Sequence, residues 1–429
     1  MLFSCIGIIN EDFAYVPDQY VATQGSRIVY VGPQKPEGDF GSVYDGAGKV
    51  LMPGMYNIHA HAPMTLLRGY AENLPLDRWL NEMVFPFEAK MTDEDVYPAT
   101  QLAIAEMLRF GTVSFSDMYY FNDARARAVV ESGIKCNLCE SALDFAGKSY
   151  YDLPLNQENQ RIIKQWHGAA DERLLIDYSL HAEYTSHPTL VSSLAQATKE
   201  AGMRMQVHVS ETKSEVEGCK ERHGMTPPAY LASLGLFDRP TTAAHCVWLE
   251  EGDFAILREK GVTIATNPAS NAKLGSGIME LSRALDEGIN VGLGTDGPAS
   301  NNNHNMFQDL YLMMLMDRAR RSDPVGVSPE QALRIATLNG ARAQGREDAG
   351  AIKEGNRADL CVLNVDVPWM QPYGDSLVGH LAYAAQGSDV VLTMVDGEVL
   401  YKDGEYLTID VERAAFEVEA SRKRIVSEL

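Results

Sequence analysis

The sequence predicts an α/β protein, a (β/α)8 barrel joined to a small β-domain that is built from both ends of the chain. From about residue 50 to 345, short apolar runs alternate with longer amphipathic segments, the pattern of repeated β-α units around a parallel sheet. Residues 1–50 and about 350–410 instead carry alternating β-type runs, interrupted by VDGE and KDGE turns. Because the two flanking segments share this character, we expect them to pair beside the barrel.

Eight candidate strands follow one another through the central segment, each short enough for a buried strand of a parallel barrel. They are MYNIHAH (55–61), TVSFSDM (112–118), KCNLCES (135–141), LLIDYSLH (174–181), MRMQVHVS (203–210), TTAAHC (241–246), VTIATN (262–267) and INVGLGTD (289–296). Helical patterns such as EDVYPATQLAIAEMLRF and HPTLVSSLAQATKEAG lie between them. We therefore predict a composite β-domain from residues 1–53 and 350–410, a barrel over 54–349 and an amphipathic C-terminal helix over 411–429.

The composition argues against several classes of partner. Lys and Arg number 37 against 59 Asp and Glu, a formal net charge of −22 that would repel nucleic acid and anionic membranes. The stretch MLFSCIGIINEDFAYVP lacks a basic leader, and no run approaches the roughly 18 apolar residues of a membrane span. Six scattered cysteines fit reduced thiols, and the CxxC of Cys136 and Cys139 lies on a predicted strand, whose i and i+3 positions face opposite sides. We expect a cytoplasmic protein without a nucleic-acid or membrane partner.

Polar side chains gather at the C-terminal ends of the predicted strands, where barrel enzymes keep their active sites. His59 and His61 end the first strand, and as residues i and i+2 they face the same spot. His208 ends the fifth strand, His245 the sixth and Asp296 the eighth. Any one of these histidines alone is more often a hydrogen-bonded structural residue. Their joint placement favours a site for a divalent ion such as zinc, with an open position for water.

Five stretches, in this order along the chain, resemble the amidohydrolase superfamily: PGMYNIHAHAPMTLLRG, VHVSET, AAHCVWL, NPASNAKLGSG and GTDGPASNNN. More narrowly, they are similar to the branch that contains methylthioadenosine/S-adenosylhomocysteine deaminases and the triazine hydrolases. The resemblance implies a TIM barrel with a composite β-sandwich. It also implies one divalent metal, zinc in preference to iron, bound by four residues: His59, His61, His208 and Asp296. Binuclear relatives place a carboxylated lysine at the end of strand four, whereas LLIDYSLHAE has no lysine, so one metal is expected.

The same residues suggest a hydrolytic mechanism. A bound divalent ion can lower the pKa of its water from 15.7 to about 7, which makes a hydroxide nucleophile near neutral pH. Glu211 in HVSET is expected to collect the water's proton and pass it to a ring nitrogen of a heteroaromatic substrate. Asp296 would pass the next proton to departing ammonia, and by the resemblance His245 stabilises the tetrahedral centre. Glu211 has an alternative role as a solvated acid at a helix start.

Other positions match family residues that contact substrate. By the resemblance, Glu88 in FPFEAK binds ribose hydroxyls, His181 at the end of strand four contacts purine and sugar, and Trp79 in LPLDRWL belongs to a lid. Each has a plain alternative, as a helix-surface acid, a hydrogen-bonded histidine and a core aromatic. Four further residues, in the polar loops after strands seven and eight, either shape the pocket or are ordinary turn formers: Asn267, Ser270, Asn271 and Ser300.

One segment departs from the family pattern. Relatives that accept S-adenosylhomocysteine hold its amino-acid tail with arginines near the end of strand three and in the loop beyond. Here that stretch reads NLCESALDFAGKSYYDLPLNQENQR, with Glu140 near the first expected arginine and no arginine before Arg161. A carboxylate tail would lack its partner and would meet a like charge. An adenosine-like substrate with an uncharged 5′ end is therefore favoured.

The sequence thus predicts a metal-dependent aminohydrolase that converts an adenosine-like nucleoside to its oxo product and ammonia. Adenosine, 5′-deoxyadenosine and 5′-methylthioadenosine are the substrates of this type. The alternative is a deaminase or chlorohydrolase of another heteroaromatic ring, such as guanine, cytosine, a pterin or an s-triazine. A remote alternative is a non-catalytic barrel, because relatives have become scaffold proteins after losing their ligands. The predicted partner is a small-molecule substrate, and the resemblance leaves a homo-oligomer open.

Overall fold

A computed structural model describes residues 1–429, in which a parallel β-α barrel adjoins a second, mostly antiparallel sheet. Nineteen strands are numbered in chain order. They are β1 (Leu2–Ile9), β2 (Tyr15–Gln24), β3 (Arg27–Gly32), β4 (Val43–Asp45), β5 (Lys49–Pro53), β6 (Met55–Ala60), β7 (Thr112–Met118), β8 (Lys135–Cys139), β9 (Ser141–Ala142), β10 (Leu174–Ile176), β11 (Tyr178–Ala182), β12 (Met205–Val209), β13 (Thr241–His245), β14 (Thr263–Thr266), β15 (Val291–Leu293), β16 (Leu360–Asn364), β17 (Val390–Val395), β18 (Glu398–Lys402) and β19 (Glu405–Tyr406).

The helices surround the barrel and close the chain. They are Leu76–Arg78, Phe85–Glu88, Asp93–Arg109, Asn122–Ser132, Pro154–Trp166, Pro188–Ala201, Lys213–His223, Pro227–Ser233, Glu251–Glu259, Pro268–Lys273, Leu281–Asp286, Met306–Arg321, Pro329–Ala336, Leu338–Ala343, Leu377–Tyr383 and Val411–Ser427. A π-helical turn spans Trp79–Val84, and Ala169–Glu172 is a turn whose central residues Ala170 and Asp171 are left-handed. Short 3-10 turns lie at Ala62–Leu67, Tyr150–Asp152, Glu183–Thr185, Leu236–Asp238, Pro368–Met370, Gly374–Ser376 and Gly387–Asp389.

Ten of these strands form the barrel, because two of its eight strand positions are each occupied by two short strands in succession. The hydrogen-bonded order runs β6, β7, β8, β10 on one side and β9, β11, β12, β13, β14, β15 on the other, with all neighbours parallel. A parallel bridge between Ala60 and Asp296 closes the ring. β6 and β7 are buried along their whole length, as a parallel sheet covered on both faces requires.

The eight predicted barrel strands are all present, and the predicted fold class is confirmed. The third and fourth are divided at Glu140 and Asp177. The eighth is shorter than predicted, because β15 ends at Leu293 and the chain turns before Asp296, whose φ of 58° is left-handed. This turn takes Asp296 out of the regular strand while its backbone N–H still donates to the His59 carbonyl at 2.9 Å.

The second sheet joins the two ends of the chain. Its nine strands run β19, β18, β17, β16, β5, β1, β2, β3, with β4 added beside β1. β5 from the N-terminal segment pairs antiparallel with β16 from the C-terminal segment, and this pairing joins the two parts of the sheet. An apolar cluster that includes Phe3, Ile6, Leu51 and Val362 is buried against the sheet.

The C-terminal helix Val411–Ser427 docks on the barrel helix Asp93–Arg109. Val418 and Ile425 are buried in an apolar cluster that also takes in residues of that helix, and Arg424 pairs with Asp95 at 2.5 Å. All six cysteines are free thiols, five of them buried. None of the helices combines the length and the apolarity that crossing a bilayer demands.

Candidate active site

Five predicted site residues meet at the mouth of the barrel. His59 and His61 come from the end of β6, His208 from β12, His245 from β13 and Asp296 from the turn after β15. Their ligand atoms form two overlapping groups, one with His59, His208 and His245 and the other with His59, His61 and Asp296. Within each group these atoms all lie within 4.8 Å of one another. The structure therefore brings together what the sequence predicted as a metal centre.

Backbone carbonyls orient two of these rings. His61 donates from Nδ1 to the carbonyl of Met118 at 2.5 Å, and His208 donates from Nδ1 to the carbonyl of His181 at 2.7 Å. A carbonyl only accepts, so Nδ1 carries a proton in both rings and Nε2 is the ring nitrogen that faces the cluster. This second hydrogen bond is the arrangement that fixes the tautomer of a metal-binding histidine.

The polar atoms at the centre fit a divalent ion. His59 Nε2 is buried without a hydrogen-bond partner, and its nearest acidic oxygen is Asp296 Oδ1 at 3.4 Å. Burial lowers the pKa of His59 to about 4 and that of His208 well below its ordinary value, so both rings are neutral, the form that binds metal. Several neutral nitrogens and one carboxylate around an unpartnered buried atom match the donor set of zinc and similar ions.

Asp296 is held with one oxygen toward the histidines. Its Oδ1 lies 3.1 Å from His61 Nε2, while Oδ2 accepts from Ser270 Oγ at 2.6 Å and from Ser300 Oγ at 2.8 Å. Burial alone would raise the pKa of this carboxyl, but the contacts with His59 and His61 outweigh it and hold the pKa well below its ordinary value. Asp296 is therefore an anion whose two oxygens have separate partners.

Glu211 and His245 lie beside this cluster. Glu211 Oε2 is 3.7 Å from His245 Nε2, and Ser276 Oγ donates to Glu211 Oε1 at 3.2 Å. His245 donates from Nδ1 to Asn271 Oδ1 at 2.8 Å, which turns Nε2 toward Glu211. Burial raises the pKa of Glu211, partly opposed by His245, and a raised pKa suits a carboxylate that must take up and release a proton near neutral pH.

Three strand ends at this site carry strained backbone. Ser210 after β12 has a φ of 50°, His245 at the end of β13 has 74°, and Asp296 after β15 has 58°. Side-chain-bearing residues rarely adopt these left-handed angles, and such residues persist where surrounding contacts hold them. The turns at His245 and Asp296 place these side chains in the barrel mouth, and the turn at Ser210 places the side chain of the next residue, Glu211, there.

A cavity that opens to solvent lies over the cluster, and apolar side chains with a few polar groups line it, as in small-molecule sites. The helical segment 76–88 forms part of its wall and carries Trp79 and Glu88. Glu88 accepts from the Tyr119 hydroxyl at 2.6 Å, and burial raises its pKa to about 7. His181, also in the wall, bonds through Nδ1 to Thr185 Oγ1 at 3.0 Å, and burial lowers its pKa to about 4. Polar groups thus face the metal centre across an apolar-walled space.

The predicted substrate residues divide into two groups. Glu88, His181, Trp79 and Ser300 line the cavity. The other three do not: Asn271 and Asn267 contact His245, at 2.8 and 3.3 Å, and Ser270 bonds Asp296.

The sequence did not predict two further contacts, those of Tyr119 with Glu88 and of Ser276 with Glu211. Tyr119 directly follows the TVSFSDM strand, and Ser276 lies in the quoted NPASNAKLGSG stretch. Their positions beside strand ends were the available signals.

The comparison with known families agrees with this geometry. The sequence model of the protein family described as "Amidohydrolase family" matches residues 50–400. The chain belongs to the amidohydrolase family. The family resemblance stated from the sequence is confirmed, and with it the prediction of a hydrolytic enzyme.

Several relatives of this amidohydrolase have names. It is 42% identical over 377 residues to a 5-methylthioadenosine/S-adenosylhomocysteine deaminase of Dictyoglomus thermophilum, which covers 88% of each chain. It is 41% identical over 385 residues to a 5′-deoxyadenosine deaminase of Methanothermobacter thermautotrophicus, which covers 90% of each. Among solved structures, an adenosine deaminase from Xanthomonas campestris with bound zinc superposes with a TM-score of 0.93 at 30% identity, over 99% of this chain and 98% of that one.

Proposed function

We propose that this amidohydrolase is a metal-dependent deaminase that hydrolyses the amino group of an adenosine-like nucleoside and releases ammonia. The observation that carries the proposal is the facing pair of Glu211 and His245 beside the histidine–aspartate cluster, at the base of a cavity whose wall holds Glu88. The similarity to relatives named for deamination of 5-methylthioadenosine and 5′-deoxyadenosine supports the same reaction.

His59, His61, His208 and Asp296 would hold one divalent ion, and zinc is preferred because the similar adenosine deaminase structure carries it. When bound, such an ion can lower the pKa of a water molecule to about 7. The remaining steps are carried out by side chains of the protein.

Proton transfer is assigned to Glu211. Its buried carboxylate, with a raised pKa, takes one proton of the attacking water at Oε2 and delivers it to the ring nitrogen next to the amino-bearing carbon. His245 Nε2 faces the same space, so it can hold the oxygen that adds to that carbon. Asp296 can accept the second proton and hand it to the departing ammonia. Its Oδ2 is already engaged by Ser270 and Ser300, which leaves Oδ1 on the side of the reacting groups.

Recognition of the nucleoside is assigned to the wall of the cavity. Glu88 would accept from ribose hydroxyls through Oε2, since Oε1 already accepts from Tyr119. His181 would contact the purine and the sugar, and Trp79 would cover the apolar side of the ligand. Ser300 has a second role here, because it lines the cavity and also bonds Asp296.

The charge of the cavity favours an uncharged 5′ end. Its lining contains the carboxylates Glu88, Glu211 and Asp296 and no lysine or arginine. The carboxylate of an amino-acid tail would therefore find no bidentate partner in this lining. Glu140, which the sequence analysis expected to repel such a tail, accepts from Asn122 at 2.5 Å and does not line the cavity, whereas its neighbour Ser141 does. The absence of lysine and arginine from this lining, more than Glu140, supports adenosine, 5′-deoxyadenosine or 5′-methylthioadenosine. Lys213 and Arg222 line an adjoining cavity that shares Leu76 and Tyr184 with this one.

The test is ammonia release by zinc-loaded enzyme from adenosine, 5′-deoxyadenosine, 5′-methylthioadenosine, S-adenosylhomocysteine, guanine and cytosine. The proposal expects the uncharged adenosine-like nucleosides to give the highest kcat/KM and S-adenosylhomocysteine to lie well below them. Preference for guanine or cytosine would replace the nucleoside by another heteroaromatic amine. Activity on none of the six would overturn the proposed function.

A further inference from the structure

The turn that carries Glu211 is strained and has an unusual support. Ser210 has a left-handed φ of 50°, and its side-chain hydroxyl is buried without a partner, so the side chain gains nothing that offsets the strain. The Ser210 carbonyl accepts from the N–H groups of Val247 and Trp248, at 3.0 and 2.9 Å. These bonds hold the carbonyl side of the turn, and the N–H side needs another partner.

Glu215 supplies that partner. Its Oε1 accepts from the Ser210 N–H at 2.8 Å and its Oε2 from the Glu211 N–H at 2.7 Å. Glu215 is 6% exposed, and its backbone N–H donates to the Thr212 hydroxyl at 3.2 Å. One buried carboxylate therefore grips two consecutive amides of the turn that presents Glu211 to the cavity.

This contact differs from ordinary helix capping. Thr212 is the N-cap of the helix Lys213–His223 and Glu215 is its third residue, so TKSE has the spacing of a capping box. In a capping box the acid would accept from the backbone N–H of the N-cap, here Thr212. Glu215 instead reaches past the N-cap to the two amides that precede it. Its bonds serve the turn of the barrel mouth and not the start of the helix.

We propose that Glu215 is a positioning residue for the reaction, which fixes the backbone of Ser210 and Glu211 so that the Glu211 carboxylate stays in reach of both His245 and the substrate. The proposal rests on the proton-carrying role given to Glu211 under the proposed function. Glu215 lines an adjoining cavity and not the active-site cavity itself, and its two oxygens accept from backbone N–H groups and not from the predicted metal ligands. Its effect passes through the backbone.

The test compares Glu215→Gln with Glu217→Gln. Glu217 lies on the same helix with a side chain 63% exposed and contacts only Lys213, at 3.4 Å, so it is the matched control. Both Glu215 oxygens accept from backbone N–H groups, so glutamine tests this double contact with the side-chain size nearly unchanged. An amide has one accepting oxygen, and its NH2 group would oppose one of the two N–H donors.

We expect Glu215→Gln to lower kcat by about 100-fold with little change in KM or metal content, since displacements near 1 Å can cost about that factor. Adding Ser210→Gly should raise kcat of this variant by about tenfold, because glycine adopts positive φ without strain and loses no hydrogen bond here. A merely structural role would lower thermal stability without this split between kcat and KM and without rescue by glycine. Unchanged kcat, or an equal loss in Glu217→Gln, would overturn the proposal.

Amide hydrogen exchange separates this proposal from the proposed function. The Ser210 and Glu211 amides should be protected in the wild type and in Glu217→Gln, and should exchange faster in Glu215→Gln, whatever substrate the enzyme uses. Unaltered protection in Glu215→Gln would overturn the positioning role even if the enzyme proved to be a deaminase. If Glu215→Gln does not fold, Glu215→Asp serves instead, because the shorter aspartate side chain cannot reach both the Ser210 and the Glu211 amide.

Discussion

Replacement of Glu88 by alanine should abolish the preference of the enzyme for a ribose with its hydroxyls. Glu88 Oε1 already accepts from Tyr119 at 2.6 Å, so one oxygen remains for the substrate. Above the Glu88 pKa of about 7 the side chain is a carboxylate, and a hydrogen bond to a charged group contributes about 1.5–3 kcal/mol, a factor of about 10 to 150 in kcat/KM. Wild-type enzyme should therefore prefer adenosine over 2′,3′-dideoxyadenosine by about that factor, and the alanine variant should treat the two nearly alike.

The assay is steady-state ammonia release from both nucleosides by the wild type, Glu88→Ala and Glu82→Ala. Glu82 lies on the same segment and is partnered by Arg78 at 2.7 Å outside the cavity, so its variant controls for disturbance of the segment. Glu88→Gln should keep part of the preference because an amide oxygen still accepts. An equal loss for both nucleosides in Glu88→Ala, or the same loss of discrimination in Glu82→Ala, would refute the ribose assignment.

Three further predictions concern the site and its supports. Glu211→Gln should lower kcat by about 10² to 10⁴-fold without loss of metal, because an amide cannot carry the proton; a drop of less than about tenfold in the same assay would assign that transfer elsewhere. Ser270→Ala removes one of the two donors to Asp296 Oδ2 and should lower kcat by about tenfold, whereas unchanged kinetics would mean that Ser300 alone fixes the carboxylate. Asp309 accepts hydrogen bonds from the Ala269 N–H and the Asn301 side chain. Burial raises its pKa from 3.8 to about 7. Between these pH values the folded state therefore holds a proton that the unfolded state releases. The Tm of the wild type minus that of Asp309→Asn should therefore fall as pH rises from about 4 to 7, and a constant difference in thermal scans would argue against a buried, neutral Asp309.

The backbone of the barrel mouth was predictable because apolar strand patterns fix where each strand ends. His59, His61, His208 and His245 lie at or next to those ends, and parallel strands of one barrel end on one face. The meeting of these side chains at one barrel mouth follows from this rule. Only the eighth strand ended more than one residue before its predicted end, because the left-handed turn at Asp296 involves contacts with the first strand that no local pattern contains.

The side-chain partners in the loops were less predictable, because they depend on contacts between distant parts of the chain. Asn271 and Ser270 follow strand seven and were expected to shape the pocket. Instead, Asn271 accepts a hydrogen bond from His245 and Ser270 donates one to Asp296, and neither lines the cavity. Ser276 meets Glu211 across 65 positions of sequence. Glu215 shows the opposite difficulty: its local spacing fits a capping box, and only the fold shows that its carboxylate serves another turn.

The metal content of purified variants tests the central claim most directly. After zinc is supplied and excess is removed, elemental analysis should find one divalent ion per chain in the wild type and markedly less in His61→Ala and Asp296→Ala. His245→Ala should keep its metal and lose activity, because His245 is assigned to the reacting oxygen although its ring lies close to His59 and His208. A wild-type chain that binds no zinc, or loss of metal in His245→Ala with retention in His61→Ala, would contradict the account.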